Sequence, residues 1–299
     1  MILQRLFAGK PVFEKFARDL RTLRHRLTRM HEAIGRIESR QCADAGATDL
    51  AANEFQVYSQ WGEDGIIQHL LRQVRVPRKV FVEFGVQDYV ESNTRFLLVK
   101  DNWSGLVIDG SDEHIRFIRR DEIYWRHNLK AAHAFITREN INDLLRDHGI
   151  SGEIGLLSVD IDGNDYWVWE ALTAVDPVLV SVEFNWRFGP ERAVSVPYDA
   201  GFVRQSAHSS WLYFGASLSA LEKLGARKGY ALVGIGSSAV NAFFVKREFL
   251  TPEIVPRTAR ELWRPGRFSE FHDDAGNMVK LSEQAQRELV LSLPLIEID

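Results

Sequence analysis

Acidic residues close one apolar run after another in this chain. KVFVEFG (79–85) ends on Glu83 and Gly85, and GLVIDG (105–110) ends on Asp109 and a glycine. IGLLSVD (154–160) ends on Asp160 with Asp162 just beyond, and VLVSVEF (178–184) ends on Glu183 with Asn185 next. If the runs are strands of one parallel sheet, their carboxyl ends meet where such sheets bind ligands. Asp109 can then accept both hydroxyls of a ribose. Glu83 can accept from a ligand's amino group or from a backbone amide, and Gly85 lets a ligand approach bare backbone. No GxGxxG follows the first run, so a pyrophosphate would lack its cradle. That argues against a nicotinamide oxidoreductase and for a nucleoside ligand without a pyrophosphate. Asp160, Asp162 and Asp165 stand close together in SVDIDGNDYW, and such charges repel unless a cation or proton intervenes. A hard divalent ion such as Mg2+, held by Asp160, Asp162, Glu183 and Asn185, is one answer. In the other, Asp165 or Asn164 caps a helix and only Asp160 lines the site.

The elements that must position these residues alternate along the chain. Strand-like runs at 79–85, 105–110, 131–137, 154–160 and 178–184 are separated by helix-like ones at 93–102, 112–121, 138–149 and 164–175, with another helical run at 62–74 before the first. This succession predicts a parallel sheet covered on both faces. Two further runs, 231–236 and 239–245, are too close for a helix between them, so they predict a terminal antiparallel hairpin around Ser237 and Ser238. The expected fold is α/β, with seven strands. In YSQWGEDGII, Ser59 is the expected N-cap, with Gln60 to Glu63 in the first turn.

The chain has 299 residues, 45% apolar and 26% charged, the composition of a soluble globular protein. A lone cysteine, Cys42, excludes an internal disulfide framework and fits a reducing cytoplasm. No apolar run approaches the roughly 20 residues of a membrane span. Residues 1–40 carry ten Lys and Arg against four Asp and Glu, whereas the remainder carries 27 against 37. An acidic body argues against a nucleic-acid substrate, which needs a basic surface. The expected location is cytoplasmic, with peripheral attachment to the inner membrane as the option that the basic segment raises.

Four segments are expected: an amphipathic helix over 1–41, a linker over 42–54, the catalytic domain over 55–250, and a C-terminal extension over 251–299 that packs on the domain or lids its site. In the first, Phe13, Phe16, Leu20, Leu23, Leu27, Met30, Ile34 and Ile37 alternate spacings of three and four, an a/d heptad seam. The helix can pack on its own domain, join subunits as a homo-oligomeric coiled coil, or lie on an anionic membrane surface. Asp19 and Arg24 occupy g and e positions, a compatible pairing between parallel helices. The segment 185–215 is a long insertion after a site-bearing strand, and long loops in compact domains are usually functional. Its Trp186, Trp211 and Tyr213 can stack on sugar faces or fill a core, and its Arg187 and Arg192 can hold a phosphate or carboxylate.

Taken in order, SQWGED, VEFGVQD, LVIDGS and SVDIDGNDYWVWEAL resemble the FkbM-like S-adenosylmethionine-dependent methyltransferases, and more closely a bacterial branch associated with polysaccharide or glycan biosynthesis. VEFN, VPYDAGF, YFGASLSAL, KGYALVG and NAFFV also resemble that branch, so the likeness runs over about 55–247. The resemblance implies a class I methyltransferase fold and O-methyl transfer to a sugar hydroxyl, on a carbohydrate, nucleotide-sugar or glycan acceptor. It implies S-adenosylmethionine as cofactor at Glu83, Gly85, Asp109 and Asp160, with Gln60 and the Ser92-Asn93 pair at its methionine end. Mg2+ at acidic strand ends is implied by related sugar O-methyltransferases, although Glu183-Phe184-Asn185 departs from their paired aspartates. The reaction would be an in-line displacement at the sulfonium methyl, for which Asp160 is the first candidate base and His208 the second. The rival from another class is a catalytically silent methyltransferase-like scaffold.

Overall fold

The computed structural model describes residues 10–267 and 271–299, with side chains from 13 onward. Residues 1–9 of the expected N-terminal helix lie outside that range. The sheet is built from β1 (Val80–Phe84), β2 (Ser104–Asp109), β3 (Leu129–His133), β4 (Gly152–Val159), β5 (Val175–Glu183), β7 (Tyr230–Ile235) and β8 (Asn241–Lys246). A separate two-stranded ribbon joins β6 (Val194–Ser195) to β9 (Ile296–Glu297). The helices are α1 (Lys10–Ala45), α2 (Glu63–Gln73), α3 (Arg95–Asp101), α4 (Asp112–Arg120), α5 (Glu122–Arg126), α6 (Ile141–Asp147), α7 (Asp165–Ala171), α8 (Arg204–Ala207), α9 (Leu218–Arg227), α10 (Ala259–Leu262) and α11 (Glu283–Leu291).

The strand order is β3-β2-β1-β4-β5-β8-β7, parallel except for β8, which runs antiparallel to both of its neighbours. This is the class I methyltransferase sheet, with the order reversing between β1 and β4. The chemistry of the strands explains it: all five residues of β1 and all six of β7 are buried, as expected of strands covered on both faces. Two apolar clusters lie on opposite faces, one around Trp169, Tyr166 and Phe244, the other around Ile66, Phe81 and Leu98.

Several boundaries move. The third strand ends at His133 instead of 137, because Asn140 accepts from the Thr137 amide and donates to the Phe135 carbonyl, turning that stretch into a helix entrance. The expected linker over 42–54 is not loose. α1 runs on to Ala45, Asn53 is buried and donates to the carbonyls of Ala47 and Asp49, and Leu50 packs on Gly234 at the outer strand. Ser59 is not the N-cap of α2, which begins at Glu63. Asp64 instead holds the 57–59 turn, accepting from the amides of Val57, Tyr58 and Ser59.

The 185–215 insertion and the C-terminal extension are tied together. β6 pairs with β9, and Phe188, Val194, Leu212 and Val290 share a small core of their own. The extension also reaches the sheet end, where the His272 ring lies 4.0 Å from that of Trp211.

Candidate functional site

Two adjoining cavities open beyond the carboxyl ends of β1, β2, β4 and β5. The larger, about 330 Å3, is lined by Gln60, Glu83, Gly85, Ser92, Asn93, Asp160, Asp162, Glu183, Arg204 and Trp211, among others. The smaller, about 180 Å3, is lined by Asp109, Gly110, Phe135, Ile136, Ile161 and Asn164, and shares Gly85, Gln87, Asp160 and Asp162 with the first. Together they have the size of a small-molecule site at a topological switch point.

Their shared floor is Gly85, which sits at φ +70°, accessible to the left-handed region that favours glycine. A Cβ there would lie 1.7 Å from the Asp160 carbonyl oxygen. The glycine is therefore required by the close approach of two chain segments, quite apart from any ligand. Its amide donates to Ile108 O at 3.0 Å, which binds the floor to β2 as well.

Glu83 caps rather than reaches. Its carboxylate accepts from the Asn93 amide at 2.7 Å, the Thr94 amide at 3.1 Å and the Thr94 hydroxyl at 2.5 Å, so it fixes the turn that starts α3. Of the two roles open in the sequence, the structure shows the backbone one. Burial pushes its carboxyl up to about 7, against the lowering effect of those donors. Ser92 accepts from the Arg95 amide, and Asn93 donates to Ser158 on β4. Gln60 lines the larger cavity near that turn.

Asp109 is buried, and each carboxylate oxygen already holds a backbone amide: Gln87 N at 2.7 Å on one, Ser111 N at 2.8 Å on the other. His114 Nδ1 lies 3.1 Å from the same oxygen as Ser111. A carboxylate has about four acceptor sites, so two remain for a diol when His114 carries its proton on Nε2 and one when Nδ1 donates. The helix cap falls to Ser111, which accepts from His114 N.

The acidic group gathers differently from the expected metal set. Asp160, Asp165 and Glu183 have carboxylate oxygens within 4.8 Å of one another. Asp165, one of the three clustered aspartates in the sequence, is occupied by the amides of Ile161 at 2.8 Å and Gly163 at 2.9 Å. Asp162 leaves the group: at φ +55° it turns to Arg204, whose Nη1 is 2.6 Å from its Oδ1. Asn185 leaves it too, because its amide nitrogen donates to the Leu212 and Phe214 carbonyls and its oxygen accepts from Arg187 N. What remains facing the cavity is a carboxyl pair, Asp160 and Glu183. Burial pushes both well above the carboxylate range, helped at Asp160 by the charges of Asp162 and Asp165 and at Glu183 by those of Asp160, Asp162 and Asp165. Glu183 Oε2 is buried without a hydrogen-bond partner.

Of the other candidates, Trp211 lines the larger cavity, whereas Trp186 and Tyr213 are buried in core positions. Arg187 is buried against Gln286 and Trp186, and Arg192 pairs with Glu297 at the surface. His208 faces Ser210 and lines neither cavity. The sequence reading missed Arg204, the cation among the described lining residues, together with Gln87 and Phe135. Arg204 carries no motif; its position inside the long insertion is the only signal that pointed to it.

The fold and the cavity at the strand ends define a class I methyltransferase scaffold. Among solved structures, the chain is similar to the N-terminal domain of EvdMO1 with SAH bound, at 11% identity over 70% of this chain and 94% of that one, TM-score 0.39. It is also similar to a putative caffeoyl-CoA O-methyltransferase from Staphylococcus aureus, at 18% identity over 62% and 82%, TM-score 0.39. The O-methyltransferase from Bacillus cereus in complex with SAH gives 12% over 71% and 89%, TM-score 0.39. Likenesses this distant add nothing to the strand order itself. No family model matches the chain, and no curated protein matches it.

Proposed function

We propose that the protein is an S-adenosylmethionine-dependent O-methyltransferase that acts on a saccharide hydroxyl. The observation that carries this is the division of labour across the shared floor. Asp109 and the apolar Phe135 and Ile136 make a nucleoside slot, while the Asp160–Glu183 pair faces the adjoining polar cavity. The cofactor fits this donor set: Gly85 leaves the floor bare, and a cationic sulfonium is favoured among carboxylates. When bound, it supplies an electrophilic methyl group. The chain's own part is to fix the nucleoside through Asp109, to form the Glu83-braced turn near the amino-acid end, and to receive the acceptor's proton.

An alcohol is a poor nucleophile until its proton is taken, and a carboxylate raised toward neutrality is a suitable base. Asp160 and Glu183 bring carboxyl oxygens within 4.8 Å of each other. As the pair ionises, one carboxylate would accept the proton of the acceptor hydroxyl, leaving its oxygen free to take the methyl group the cofactor would supply. Turnover should therefore rise with pH along one limb, and Glu183→Gln should shift that limb. A kcat–pH profile identical in wild type and Glu183→Gln contradicts the assignment.

The larger cavity is lined by Glu83, Asp88, Glu91, Asp160, Asp162 and Glu183, and Arg204 is already paired with Asp162. Such a field disfavours a diphosphate, so the acceptor is a neutral saccharide rather than a nucleotide sugar. Trp211, at the rim, offers a face for it. Transfer of labelled methyl to neutral oligosaccharides is the test; preference for nucleotide sugars would contradict this part of the reading. A second reading has a divalent cation among Asp160, Asp165 and Glu183, supported by their convergence and the orphaned Glu183 oxygen. It predicts activity that chelator removes and Mg2+ restores.

Asp109→Ala should weaken cofactor binding at least tenfold, since two hydroxyl hydrogen bonds to a charged group are lost. It also releases the amides of Gln87 and Ser111, so thermal stability is measured alongside. Unchanged affinity in calorimetry would remove Asp109 from the site. Among the described residues no helix is long and apolar enough to cross a membrane, and a cytoplasmic location is part of the proposal.

A further inference from the structure

The long N-terminal helix resolves which of its faces the domain uses. The residues that pack on the body are Gly35, Ser39 and Cys42, with Glu32 and His25 beside them. Gly35 lies against Val57 and Phe96, and Ser39 O accepts from Arg72. Glu32 accepts from the Tyr58 hydroxyl at 2.7 Å, and His25 stands 3.5 Å from Glu122. In the heptad set by the apolar residues these are b and f positions. The a and d positions face away. Phe13 is 71% exposed and Leu27 56%, and even beside the body Ile34 and Ile37 stay 52% and 46% exposed.

A continuous apolar stripe on a soluble chain marks an interaction surface. From Phe13 to Ile37 it runs about 36 Å at 1.5 Å per residue. With eight large side chains about half exposed, it offers on the order of 800 Å2, the share one partner contributes to a stable interface. The stripe is only two positions wide, flanked at e and g by Arg24, Arg26, Glu38 and Arg40. A membrane surface calls for a broader apolar face, and a wider bundle would bury those charges. Arg18, Arg21, Arg29 and Arg36 stand at outer positions, where a two-stranded pairing leaves them in water.

We infer that the seam is covered by the same seam of a second copy, in a parallel, in-register two-stranded coiled coil. Parallel pairing sets Asp19 of each helix against Arg24 of the other, whereas Arg26 against His31 adds nothing. The full-length antiparallel alternative matches Phe13 to Ile37 and brings the Arg24 and Arg26 of both helices to the same central level, where they repel. Because the bodies attach on b and f, opposite the seam, two of them fit outside the pair. Both catalytic cavities then belong to one dimer whose chains leave the coil at the same end.

The test uses the full chain. In sedimentation velocity at micromolar concentration, wild type should run at twice the 34.2 kDa chain mass. Leu23→Glu with Leu27→Glu should halve that mass, and its thermal melting shows whether the body stays intact. A matched pair of outer substitutions, Thr22→Glu with Arg29→Glu, should leave the dimer. Orientation is read from Leu20→Cys on a Cys42→Ser background, which should form a disulfide-linked dimer on oxidation only if the helices are parallel and in register. A monomeric or trimeric wild type overturns the inference, as does a dimer that survives the seam substitutions. Failure of Leu20→Cys to crosslink overturns the parallel register. A monomer that floats with phosphatidylcholine–phosphatidylglycerol vesicles through the intact seam overturns it in favour of a membrane partner.

Discussion

Gly85→Ala should abolish cofactor binding and unsettle the fold. The substitution costs about 1–2 kcal/mol for a side chain in the left-handed region. It adds roughly 1–3 kcal/mol of overpacking, since a Cβ only 1.7 Å from the Asp160 carbonyl cannot be accommodated without moving backbone. That movement strikes both cavities at once, because Gly85 and Asp160 line each of them. A drop of several degrees or more in thermal midpoint should accompany the loss of binding. Gly110→Ala is the control. A Cβ there meets only Phe135 at 3.5 Å, an ordinary contact, so its stability should stay close to wild type. A Gly85→Ala protein as stable as Gly110→Ala would mean that the floor is more pliable than its geometry indicates.

Asp160→Asn should separate catalysis from binding. Loss of a positioned general base typically costs 10²–10⁴-fold in rate, about what kcat should lose. Cofactor affinity should change by far less, because the nucleoside is held through Asp109 and the apolar slot. Stability should move the other way. The native carboxyl is pushed above its ordinary value, so the native state keeps protons that the unfolded chain has lost as pH rises past the usual carboxylate range. Across that interval the native state binds more protons, and stability falls with rising pH. An amide at this position removes part of that penalty, so Asp160→Asn should melt higher than wild type at neutral and alkaline pH. Its melting temperature should also depend less on pH. Retained turnover would remove Asp160 from the mechanism, whereas lost turnover with unchanged pH dependence of melting would separate its chemistry from its electrostatics.

The sheet was legible because strand chemistry is local. Apolar runs, four of them with acidic ends, marked all seven strands and the closing hairpin to within a few residues. The site was only half legible. Glu83, Gly85, Asp109 and Asp160 do meet around the cavities, because the ends of parallel strands must converge. What each carboxylate holds depends on turns that no spacing encodes. Asp162 was expected beside Asp160 but its backbone turns left-handed, so it meets Arg204 from the insertion, 42 residues on. Asn185 looked like a ligand at a strand end, yet its amide is consumed by the carbonyls of Leu212 and Phe214, which reach it only through tertiary packing. Asp165, open in the sequence as a member of the acidic cluster or as a helix cap, joins the acidic group while holding the amides that shape the turn. The N-terminal helix shows the opposite case. Its heptad was plain in sequence, but only the structure shows that the body takes the b and f face and leaves the seam clear.

Titration calorimetry of chelator-treated protein with S-adenosylmethionine, with and without Mg2+, tests whether the two cavities hold that cofactor. Wild type should bind in the micromolar range without added metal, Asp109→Ala at least tenfold more weakly, and Asp160→Asn about as tightly as wild type. Absence of binding by a folded wild type in both conditions would contradict the cofactor assignment and favour a silent scaffold.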